Sequence, residues 1–208
     1  MSVNTKLKIL KIAAREFAQN GYRKTTIRDV CIKAGVNVAA VNYHFSGKAE
    51  LYRQTVDWLI EASGPGKNVI FDDGESPEQN IRSWVAYCIS KHAAGMGWHG
   101  EMILHIVFHE MQSPSENYNY LYQSRMLPDL ITLSGYINVG YGGKLNSTDE
   151  KLKVFSLIGR VVFYILHRNL IARYSGKKFV DNARENIIDN IVQETVRDFI
   201  YHKYLCLR

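Results

Sequence analysis

His105 and His109 stand one helical turn apart, with Glu101 a turn earlier and His99 close by. Histidines four residues apart on a helix face the same way, so the group has the raw material of a metal site. It lacks the HExxH order and any cysteine partner, and partly buried, hydrogen-bonded histidines with no metal are the favoured reading. Ser, Cys and Asp/Glu form no nucleophile arrangement, and the glycines at 140–143 lack the Lys-Ser/Thr that a phosphate-cradling loop requires. No enzyme and no cofactor are expected. A softer chemistry is available to Trp84, Tyr87, Trp98, Met102, Phe108 and Phe163, with Met96 and Met111 nearby. Aromatics and methionines of this kind can line apolar pockets for small organic ligands, although at helical spacing they more often make plain core.

The densest pattern is TIRDVCIKAGVNVAAVNYHF, residues 26–45. It reads as a short helix, a glycine turn and a second short helix, the helix-turn-helix arrangement. Val30 and Ala34 face the partner helix, Gly35 turns sharply, and Val36 and Val41 plug the angle. Ala39 and Tyr43 then point away from Val41 and Phe45. Val38 and Asn42 flank them, and Ala40 and His44 lie on the other side. Such a face is small and uncharged, suited to base edges in a major groove. No carboxylate occurs between Asp29 and Glu50. Charge points the same way. Residues 1–55 hold ten Lys/Arg against three Asp/Glu, and residues 56–208 hold sixteen against seventeen, so the whole excess behind the net +6 sits in the first quarter. A basic module on a near-neutral body suggests a polyanionic partner.

These residues need helices to position them. Leu7, Leu10, Ala14, Phe17 and Ala18 predict an amphipathic helix that Gly21 closes. Thr26, with Asp29 three residues on, caps a second helix whose inner stripe is Ile27, Val30, Cys31 and Ala34. Asn37 caps a third, and Ser46 a fourth running through Leu51, Thr55 and Leu59. The stretch 63–77 reads as a loop or linker. Apolar-periodic segments follow at 78–95, 99–112, 116–138, 149–174 and 181–205, none with strand-type alternation. The expectation is an all-α chain of about nine helices: a three-helix helix-turn-helix domain over 1–50, and a second helical domain over 51–208. Four prolines in 208 residues permit long helices, and the longest apolar runs fall far short of the roughly 20 residues that span a bilayer. No membrane partner is expected. The N-terminal lysines interrupt any signal-peptide core, and Cys31, Cys88 and Cys206 form no CxxC, so a reducing, cytoplasmic setting is expected.

The run from Ile9 to Leu51 resembles the N-terminal domain of the TetR family of bacterial transcription regulators. Phe17, Gly21, Thr25-Thr26, Ile27, Ala34-Gly35-Val36, His44-Phe45, Lys48 and Leu51 carry the match. Asn42 departs from it, standing where the family usually has a tyrosine. The resemblance implies phosphate contacts by Thr26, Arg28, Tyr43 and Lys48, with Asn37, Val38, Ala39, Asn42 and His44 nearest the bases. FHEMQSPSENY (108–118) and LIGRVVFYILHRN (157–169) resemble the ligand-binding domain of the CecR-like branch. Such domains pair through their last two long helices. Leu157–Leu170 is apolar nearly all round, implying burial on more than one side, and Ile187, Ile188, Ile191, Val192, Thr195 and Phe199 give the final helix a broad apolar face. The implied function is a ligand-released repressor that binds a palindromic double-stranded DNA operator as a homodimer, with a small organic effector. Two rivals stand beside it: a protein of the same fold that works mainly through a protein partner, and a helical enzyme with a basic surface.

Overall fold

The computed structural model describes residues 3–62, 74–93 and 98–205. Among them there is no strand. The helices are α1 (Val3–Lys24), α2 (Ile27–Ala34), α3 (Val38–Phe45), α4 (Lys48–Ala62), α5 (Pro77–Ala93), α6 (Trp98–Gln112), α7 (Tyr118–Leu121), α8 (Leu127–Gly140), α9 (Ser147–Leu166), α10 (Arg168–Ser175), α11 (Lys177–Asn182) and α12 (Arg184–Leu205), with a π-helical turn at Tyr122–Met126. The all-α class is as expected, and the helical pieces outnumber the nine anticipated because three periodic segments are broken. Pro128 has no N–H to offer the carbonyl four residues earlier, and the backbone widens into the π turn just before it. At His167 the chain leaves helical geometry and turns by 71°, with a ring nitrogen 3.3 Å from the Phe163 carbonyl oxygen. Ala183 parts α11 from α12. Most of the 63–77 stretch, Met96 and Cys206 lie outside the described residues.

The helices sort into two compact units. One comprises α1–α4, α6, α7 and the π turn, and the other α5 and α8–α12. In the first, Ile9, Ala13 and Phe17 of α1 meet Val30, Ala34, Val41, Phe45, Leu51, Val56 and Ile106 in one buried cluster. Each large side chain removed from water there contributes about 1.5–3 kcal/mol. The second is built around Ile81, Val85, Leu133, Ile137, Leu157, Val161, Ile188 and Val192.

The two long helices expected to pair differ in what they leave outward. Among the described side chains of α12 the apolar face is spent inside the chain: Ile191, expected to face a partner, is 1% exposed, and Ile188, Val192 and Val196 are buried with it. Its outward residues, Glu185, Asn186, Asp189, Asn190, Gln193 and Arg197, are polar. The side chain of Phe199 lies outside the described residues. Helix α9 has two apolar sides. Val154, Leu157 and Val161 point into the core, while Leu152, Phe155 and Phe163 are exposed around Gly159. No single helix among the described residues is long and apolar enough to cross a membrane.

Candidate nucleic-acid interface

The N-cap of α2 is Thr26. Its hydroxyl oxygen accepts from the Asp29 N–H at 3.1 Å, and the hydroxyl donates to the Asp29 carboxylate at 2.6 Å. Thr25 turns inward instead, donating to the carbonyls of Glu16 and Gly21. Helix α2 closes on Gly35, whose φ of 60° and ψ of 41° are left-handed. The Gly35 N–H reaches the Ile32 carbonyl and the Val36 N–H reaches that of Cys31 at 3.0 Å, the paired bonds of a Schellman close. Two residues later the Asn37 side chain accepts from the Ala40 N–H at 2.8 Å and starts α3. The turn between the helices is thus satisfied at both ends by its own residues.

Helix α3 divides cleanly. Val41 and Phe45 are fully buried, and Ala40 and His44 are half-buried. Val38, Ala39, Asn42 and Tyr43 face outward, Tyr43 at 79% exposure. Ring contacts link Tyr43 to His44 and His44 to Phe45. No acidic residue lies on α3. An eight-residue helix rising 1.5 Å per residue offers about 12 Å of exposed, uncharged face, enough to lie along a few base pairs. Ser46 corrects one expectation. It closes α3 in the left-handed region (φ 51°), and α4 opens at Lys48 after Gly47.

Cations and donors flank this face. Arg28 is exposed in the first turn of α2, two residues after the cap Thr26. Lys48, half-buried, opens α4. Its ammonium lies 4.3 Å from the centre of the Tyr22 ring and donates to the Arg23 carbonyl at 3.3 Å. Burial pulls the Lys48 pKa below its ordinary value, and the Glu116 charge acts against that shift. The structure therefore brings Thr26, Arg28, Asn37, Val38, Ala39, Asn42, Tyr43, His44 and Lys48 into one helix-turn-helix and its immediate flank.

Residues 9–55 match the family described as bacterial regulatory proteins, tetR family. Residues 77–200, more than half of the chain, match the C-terminal domain of the HTH-type transcriptional dual regulator CecR. The chain belongs to the TetR family. It is a DNA-binding transcription regulator and not an enzyme. The CecR protein of Shigella flexneri is 23% identical over 195 residues, covering 90% of this chain and 87% of that protein. Among solved structures, AibR in complex with isovaleryl coenzyme A and operator DNA aligns with a TM-score of 0.66 at 18% identity, covering 91% and 97% of the two chains. A TetR-like regulator from Rhodococcus sp. RHA1 gives 0.64 at 15% identity, covering 96% and 98%.

The candidate effector residues of this TetR-family chain are distributed between its units. Trp98 and Met102 pack against the core of the first unit, and Phe108 is half-buried on the same helix. Trp84 is buried in the core of the second, where Tyr87 is half-buried. Phe163 is exposed and stacks on His167, ring centres 4.7 Å apart. His99 and His109 have separate surroundings. His99 packs against the Trp58 and Trp98 rings, and burial, helped by Lys11, lowers its pKa. The ring of His109 faces Gly21. Sequence reasoning missed the buried carboxylates. Glu16 is 4% exposed and pairs with Lys33 at 2.6 Å. Glu110, also buried, accepts from the Tyr52 hydroxyl at 3.1 Å and from the Ser115 N–H and hydroxyl at 2.8 and 2.7 Å. The available signal was an acid on an apolar helix stripe, at position 16 in α1 and 110 in α6.

Proposed function

We propose that this regulator is a homodimeric, effector-released repressor of a palindromic operator, acting in the cytoplasm. Residues 1–50 are assigned to operator contact, and 51–208 to effector binding and pairing. The observation that carries the reading is the outward side of α3. Val38, Ala39 and Asn42 form an acid-free face that a major groove accommodates, with Asn37 and His44 at its margins and Thr26, Arg28, Tyr43 and Lys48 placed for phosphates. Asn42 suits adenine, to which an Asn side chain can donate and accept at once.

Pairing is supported by the outward stripe of α9. Leu152, Phe155 and Phe163 leave apolar surface in water, and a Cβ built on Gly159 would meet nothing within 4 Å, so a second backbone can approach there. Two-fold pairing places two heads on one duplex at a spacing near one helical turn or a small multiple. For the effector, half-buried Met102 and Phe108 on α6 favour an organic compound with substantial apolar surface. Release of DNA then follows as a population shift, since an effector that prefers a different spacing of the heads opposes operator binding by linkage.

Footprinting on the DNA flanking the protein's own gene tests the reading. Two protected half-sites related by a two-fold axis are expected. Binding that shows no sequence preference, or that occurs only alongside a protein partner, refutes it.

A further inference from the structure

Gly21 (φ +72°) breaks α1, and it and the next two residues are each met by the end of α6 or by the loop after it. A Cβ on Gly21 would lie 3.4 Å from the His109 ring. The Tyr22 hydroxyl donates to Glu116 Oε1 at 2.7 Å, and the Arg23 guanidinium donates to the Pro114 carbonyl at 2.8 Å. The loop is itself fastened by buried Glu110, through the two Ser115 bonds described above, while the Asn117 N–H donates to the Ser115 hydroxyl oxygen at 3.1 Å.

Tyr22 is also the bed of Lys48. Its ring sits against Phe17 and edge-on to Tyr52, with centres 6.1 and 5.1 Å away, and the Lys48 ammonium rests over it. The carbonyl that Lys48 also contacts belongs to Arg23, the residue tied to Pro114. A lysine head on four rotatable bonds sweeps a wide arc. A fixed ring face and a fixed carbonyl narrow that arc to one direction.

We propose that Glu116 and the Tyr22 hydroxyl are positioning residues for operator binding, holding the ring and the Arg23 carbonyl that aim Lys48 at its phosphate. This rests on the phosphate role of Lys48 proposed above. The loop thereby acts on DNA affinity while touching no DNA. The charge of Glu116 makes the claim sharp. Deleting an acid near a phosphate contact should strengthen DNA binding by electrostatics alone, whereas loss of the anchor should weaken it.

The test uses the full chain and a labelled duplex carrying the footprinted operator, with affinities read by fluorescence anisotropy and melting temperatures measured alongside. Tyr22→Phe and Glu116→Ala should each weaken binding about three- to ten-fold, the scale of one degraded charge-assisted contact. Glu116→Gln, which keeps an acceptor without the charge, should bind as wild type or tighter. In a Lys48→Ala background, Tyr22→Phe and Glu116→Ala should cost nothing further, because their effect passes through the missing ammonium. Wild-type or tighter binding by both single variants overturns the positioning role. Equal losses in the two backgrounds overturn it as well, by showing a general structural effect. A Lys48→Ala variant with an unchanged salt slope instead refutes the phosphate role, and the positioning falls with it. Glu116 is exposed, so Glu116→Ala remains decisive should Tyr22→Phe fail to fold.

Discussion

Arg28→Ala is the cleanest perturbation of the proposed phosphate contacts. The side chain is exposed in the first turn of α2, clear of the buried stripe formed by Val30, Cys31 and Ala34. Its removal should leave the unfolding free energy within about 0.5 kcal/mol of wild type. Each phosphate neutralised contributes about 0.9 to the slope of log affinity against log salt. The proposed dimer carries two copies, so the variant's slope should be shallower by about 1.8. Between 50 and 200 mM salt the wild type should therefore lose about 12-fold more affinity than the variant. Anisotropy titrations at four salt concentrations, on the operator and on an unrelated duplex, measure this directly. The change should be the same on both, since a phosphate contact reads no sequence. An arginine that only lies near the duplex is screened over a Debye length of about 10 Å at 0.1 M, and its loss moves the slope by less. Parallel salt lines for variant and wild type would refute the contact.

Asn37→Ala removes the acceptor that caps α3 and should cost about 1 kcal/mol in denaturant unfolding, with an unchanged midpoint showing that the 2.8 Å bond to Ala40 contributes nothing. Lys33→Met strands the buried Glu16 carboxylate with only the Asn20 amide at 3.4 Å. Because Lys33 is itself half in water, about 1–2 kcal/mol should be lost, less than a fully buried pair would cost. Adding Glu16→Gln should restore most of that loss, and a double variant no more stable than the single one contradicts the argument. Phe155→Glu, at a position 58% exposed, should give a folded, helical monomer in sedimentation, whereas Ile191→Glu should unfold the chain. A Phe155→Glu variant that still sediments as a dimer removes α9 from the seam.

The parts of this protein that were legible in its sequence are those whose partners lie within one turn of chain. Thr26 meets Asp29, Asn37 meets Ala40, and Gly35 closes α2 with its own Ile32. Spacings of three and four encode such contacts directly. Ser46 misled for the same local reason, because serine is a favoured opener of helices and rarely takes the left-handed close it adopts here. Apolar stripes on α9 and α12 were equally visible, but a stripe states that a surface is buried, never against what. Resemblance assigned both faces to a partner copy. In the structure, the Ile188–Val196 face of α12 is covered by the chain itself, and the Leu152–Phe163 side of α9 is left outward. The bonds that tie the 113–117 loop to α1 were beyond reach altogether: Tyr22 and Glu116 are 94 residues apart, Arg23 and Pro114 are 91. No period links such positions, and no residue among them, read alone, announces a partner so far along the chain. What makes them consequential is the half-buried Lys48 over the Tyr22 ring, whose place in the proposed interface was legible from position 48 while the contacts that aim it were not.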